Sequence, residues 1–106
     1  MSQVEEKYIQ ILLSIESPQR IKHYTWHDIE MYLRDECDCI ISLEVIQELT
    51  GENDKDLLCI VYLGHIMTIK IGEFRNPEEA VEDACRYVLD EQAEWIKENR
   101  KCRIVQ

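Results

Sequence analysis

Cys37-Asp38-Cys39, with His23 and His27 upstream, groups the residues best able to ligate a metal or attack an electrophile. Structural zinc takes about four thiolate or imidazole ligands in a tetrahedron, and its usual fingerprint is a cysteine pair spaced by two to four residues and then repeated. Here the residue types are present and the repeat is not. His23, His27, Cys37 and Cys39 are therefore weak candidate ligands, and we expect a protein that works without metal or cofactor. A cysteine nucleophile needs a base and a group that orients it. Cys37, His27 and Asp28 or Asp35 supply those types, but a chain with three histidines and 22 acids supplies such triples by chance. No catalytic residue is assigned, and we expect no enzyme. Cys59 and Cys85 lie in apolar patterns, as core cysteines do, whereas Cys102 sits in a charged tail. There is no glycine-rich phosphate loop, and His65 reads as a turn residue.

The second chemical feature is charge. Between Asp28 and Glu94 stand eighteen carboxylates and five bases, a local net of −13. The residues before Asp28 balance, and those after Glu94 carry a net of +3, which brings the chain to −10. Such a body repels nucleic acid and anionic membranes and attracts basic surfaces. On the last helix the acids are placed with some order. At about 100° per residue, Glu79, Asp83, Asp90 and Glu94 fall within roughly 60° of one another. Like charges at four-residue spacing, such as Glu79–Asp83 and Asp90–Glu94, each cost a few tenths of a kcal/mol. The spacing of about 6 Å along the axis is on the scale of phosphates in a strand, so this face is a candidate for a basic partner site and for nucleic-acid mimicry.

These residues need elements to hold them. At 106 residues the chain is read as one domain with a short basic tail at 97–106. Ser2 with Glu5 opens a first helix, with Val4, Tyr8, Ile9, Leu12 and Leu13 on its apolar face, that ends at Ser17-Pro18. Thr25 with Asp28 opens a second, with Trp26, Ile29, Leu33 and Cys37 as its buried stripe. Residues 39–49 alternate, with Cys39, Ile41, Leu43 and Val45 on one face and Ser42 and Glu44 on the other, so they form a half-buried strand. A polar loop, residues 51–56, leads to strands 57–63 and 66–71. Gly64-His65 suits a two-residue hairpin turn, a register that puts Leu58, Ile60, Tyr62, Met67, Ile69 and Ile71 on the core face. The opposite face, with Val61, Leu63 and Ile66, is then too apolar for solvent. The first helix must cover it, or a partner does, a second copy of the chain included. Asn76-Pro77-Glu78-Glu79 starts a long helix that runs to about Asn99. The class is α+β, in the order α-α-β-β-β-α, with a three-stranded antiparallel sheet packed against helices.

Gly72-Glu73-Phe74-Arg75-Asn76-Pro77-Glu78-Glu79-Ala80, continuing through Ala84-Cys85 to Val88-Leu89, resembles the strand-then-helix end of double-stranded-RNA-binding domains. It is also similar to AP2-type DNA-binding domains. The resemblance implies a long helix following three strands. Where RNA-binding members place a lysine pair at the start of this helix, the matching positions here look like Pro77 and Glu78, so it implies no RNA binding. With no apolar run near the roughly 18 residues of a membrane helix, and a polar start, the chain reads as cytoplasmic. The expected role is a small acidic protein-binding module, an inhibitor or adaptor that docks on a basic protein surface and binds neither free nucleic acid nor membrane. In size and charge it is like phage and mobile-element proteins that block host defence enzymes. The alternatives are a metal- or thiol-dependent function at the His/Cys group, or a nucleic-acid-associated accessory role for the basic tail.

Overall fold

The computed structural model describes residues 3–15, 25–46 and 56–99. His23, Cys102, the 51–55 loop and the tail beyond Asn99 lie outside them. The elements are α1 (Glu6–Ile15), α2 (Trp26–Cys37), β1 (Cys39–Ile46), β2 (Asp56–Leu63), β3 (Met67–Phe74), α3 (Pro77–Glu91) and α4 (Ala93–Asn99). The α+β class and the order of the elements are as the sequence indicates. The last helix differs, because it is interrupted at Gln92 (φ −121°, ψ 17°), where the amide side chain donates to Tyr87 Oη at 3.1 Å.

The helix starts follow local chemistry. Thr25 Oγ1 accepts from the Asp28 N–H at 3.1 Å, and Asn76 Oδ1 accepts from the Glu78 N–H at 2.8 Å with Pro77 in the first turn. Each cap satisfies an N–H that the helix itself leaves unpaired, and is worth about 1 kcal/mol. The junction of α2 and β1 is a single residue. Asp38 adopts left-handed geometry (φ 54°, ψ 39°), and its N–H closes on Leu33 O. Aspartate visits this region more readily than most residues.

The three strands pair antiparallel in the order β1-β2-β3. Ile41 faces Val61, and Val61 faces Ile69 across the sheet. α2 and α3 pack side by side on one sheet face, and α1 packs chiefly on α3 and α4. The core between sheet and helices contains Ile29, Leu33, Cys39, Val61, Leu63, Cys85, Val88 and Ile96, all fully buried. Burial of each large aliphatic side chain there contributes roughly 1.5–3 kcal/mol.

The core face of β2 is the reverse of the expected one. Leu63 pairs with Met67, so the turn holds three residues, Gly64, His65 and Ile66, and not two. Gly64 supplies the left-handed conformation this turn uses, at φ +57°. Cys59, Val61 and Leu63 point to the helices, while Leu58, Ile60 and Tyr62 lie on the outer face. The reason is cross-strand company. Ile60 sits between Ser42 and Lys70, and Leu58 between Glu44 and Glu73, so the polar residues of the flanking strands claim that face for solvent. β2 is apolar on both faces and carries no such mark of its own. Ile71 is the extra residue of a bulge between the Cys59–Gly72 and Ile60–Lys70 pairs, which returns Phe74 to the helix side opposite Leu57.

Candidate functional site

The His/Cys group does not assemble. Cys37 and Cys39 are buried on either side of Asp38, turned inward by its left-handed geometry. His27 stands at the other end of α2 with 77% of its side chain exposed. Ten residues of helix separate it from Cys37, about 15 Å along the axis. The nucleophile arrangement of Cys37 with His27 is therefore absent, and among the described residues no three His, Cys, Asp or Glu side chains converge as ligands would. Burial raises the Cys39 thiol to about 12 and the Cys59 thiol to about 11, and it pushes Cys85 well above the usual range. Thiols held protonated in this way are poor nucleophiles and poor ligands. Cys59 Sγ donates to Ala80 O at 3.7 Å, an anchor between sheet and α3. The Cys-x-Cys spacing is thus a helix-to-strand pivot with a core residue on each side.

The acids of the final helix divide into two kinds. Glu79 is exposed, and Glu94 is 86% exposed beside Lys97 at 3.8 Å. Asp83 and Asp90 instead serve the docking of α1. Tyr8 Oη donates to Asp90 Oδ2 at 2.9 Å, and Lys7 Nζ lies 3.9 Å from Oδ1. Burial first, and this hydrogen bond second, raise the Tyr8 hydroxyl above its ordinary pKa. Arg86 donates to Glu5 Oε1 at 2.9 Å, to Glu5 Oε2 at 3.3 Å and to Asp83 Oδ1 at 3.3 Å. Its guanidinium also lies 4.7 Å from the Trp26 ring centroid. The hydrogen bond from Arg86 holds the Glu5 carboxyl below its usual value. The row of four acids read from the helical wheel is therefore half structural, and its axis is broken at Gln92.

The hairpin residues also separate. Val61 and Leu63 are fully buried beneath the helix layer, so they form no part of a contact surface, and the cover over β2 comes chiefly from α3 and not from α1. Ile66, in the turn, is 76% exposed.

One feature escaped the sequence altogether. The first turns of α2 and α3 lie side by side and enclose a cleft of about 320 Å³. Trp26, Pro77 and Val81 form its apolar lining, and Glu30, Glu78 and Glu82 stand around it with His27. Glu78 and Glu82 share a helix face by four-residue spacing, but nothing in their own pattern places them against Trp26, more than fifty positions away in the chain.

No family model, curated protein or solved structure matches the chain.

Proposed function

We propose that this chain is a small acidic protein-binding module, an inhibitor or adaptor that docks on a basic surface of a larger protein through its carboxylates. The observation that carries this reading is the disposition of charge. The described residues include eighteen carboxylates and six lysines or arginines. Among those whose burial is described no charged residue is buried as a whole, and Glu82 alone has a buried, unpartnered carboxylate oxygen, so nearly all of the negative excess faces outward. Arg86 is shared by Glu5 and Asp83, and the pairs at Lys7 and Lys97 are long. A surface with such an excess attracts a basic partner at long range and speeds encounter. Mimicry of a phosphate strand is the narrower form of the idea, and the structural use of Asp83 and Asp90 counts against it. A cytoplasmic setting suits the buried thiols at Cys39, Cys59 and Cys85.

The test uses the acids left free of structural duty. Once affinity capture from the native host has identified a partner, its Kd is measured with wild-type protein and with Glu79→Lys/Glu94→Lys. We expect the double reversal to leave the melting temperature within a few degrees and to weaken binding at least tenfold, and raising salt from about 50 to 300 mM to weaken the wild type similarly. Affinity that ignores both changes would refute the reading.

A further inference from the structure

We propose that the cleft between the first turns of α2 and α3 seats an arginine side chain of the partner protein. The inference rests on the acidic-module reading above and names where that module makes its central contact. Trp26, Pro77 and Val81 offer apolar surface to an aliphatic stem, and Glu30, Glu78 and Glu82, contributed by two helices, border the mostly apolar lining. Two helix N-termini also converge here, each equivalent to roughly half a positive charge. Three carboxylates outweigh them, and Arg86, whose guanidinium lies 4.7 Å from the Trp26 ring centroid, is already shared by Glu5 and Asp83, so the local field favours a cation. His27 offsets this only partly, since its Nδ1 lies 3.9 Å from Glu30 Oε1 and the pair is ionic only when the imidazole is protonated.

Two polar atoms behind the wall are short of partners. Trp26 is 6% exposed, and its indole N–H has no acceptor. Glu82 Oε1 is a buried carboxylate oxygen without a donor. Buried polar atoms left unmatched are costly, and native proteins leave few of them. A guanidinium brings five N–H donors in a plane, enough to serve carboxylates on both helices at once. An ammonium is a compact and strongly hydrated point charge, which fits an apolar-lined cleft less well. A volume of about 320 Å³ is at the lower end of the roughly 300–1,000 Å³ of ligand clefts and is ample to admit one arginine side chain.

The chain has two tryptophans, Trp26 and Trp95, and their indole N–H signals report separately on the cleft and on the far end of the helices. Trp95→Phe assigns them. The experiment titrates ¹⁵N-labelled full-length protein with a hexa-arginine peptide at about 100 mM salt. We expect the Trp26 indole signal to shift saturably while Trp95 stays, hexa-lysine to bind at least threefold more weakly, and Glu78→Gln/Glu82→Gln to raise the Kd at least fivefold without changing the melting temperature. A Trp26 signal that ignores the peptide while amides around Glu79 and Glu94 respond would overturn the cleft and leave the acidic module standing. Absence of any response at low salt would sink both.

Discussion

Tyr8 and Asp90 show how a residue read as a solvated acid can hold two helices together. Their hydrogen bond, at 2.9 Å, is partly buried and joins α1 to α3. Tyr8→Phe and Asp90→Asn should each cost about 1 kcal/mol and lower the melting temperature by about 4–6 °C, with a coupling energy of roughly 0.5–1 kcal/mol in a double-mutant cycle. A coupling near zero would return Asp90 to the solvated face. The thiols make a second prediction. Cys39 and Cys59 ionise at about 12 and about 11 in the fold against 9.0 ordinarily, and the Tyr8 hydroxyl is raised above 10.0. A raised acid pKa means the folded state holds its proton longer than the unfolded chain does. The stability linked to these groups is complete below about pH 9 and is lost as pH rises through the folded values. Denaturant midpoints measured from pH 8 to 11 should therefore fall steadily above pH 9. In the native state at pH 8, a thiol reagent should modify at most one of the five cysteines, and all five after unfolding.

Among the elements, β2 is the sharpest test of the register. Val61 is fully buried, and Ile60 lies on the outer face opposite Lys70. Val61→Glu buries a charge without a partner, a cost of several kcal/mol against a total stability of about 5–15 kcal/mol. Circular dichroism should find that variant largely unfolded. Ile60→Glu places a carboxylate across from Lys70 and should stay folded, within about 1 kcal/mol of wild type. A folded Val61→Glu with an unfolded Ile60→Glu would mean the two-residue turn and the opposite core face. The elements also explain why a metal reading of Cys37 and Cys39 is tempting. Two cysteines flanking one residue look like a ligand pair, yet left-handed Asp38 turns both inward to the core.

For the whole molecule, the outward charge sets the behaviour in solution. A net of −10 on 106 residues opposes the compact state by self-repulsion, which salt screens. The melting temperature should rise by several degrees between about 10 and 500 mM NaCl. Free duplex should show no mobility shift with micromolar protein at about 150 mM salt, because there are few phosphate-neutralising contacts to make. Retarded complexes under those conditions would contradict the charge argument.

The alternation of β1 fails at Val45, which is 57% exposed near the strand's end, whereas the order of the elements, the caps at Thr25 and Asn76 and the acidity of the body were legible in the sequence, because each depends on neighbours a few residues apart. The inner face of β2 was not, since Leu57–Leu63 is apolar on both sides and only the polar residues of β1 and β3 distinguish them. Nor were the duties of Asp83 and Asp90, which helical spacing groups with Glu79 and Glu94. Tertiary packing separates them, because α1 brings Tyr8 and Glu5, some eighty positions away, to Asp90 and to the Arg86 that pairs with Asp83. The cleft at Trp26 and Glu82 belongs to the same class. It exists because two helix starts meet in space, and no local pattern of either helix encodes that meeting.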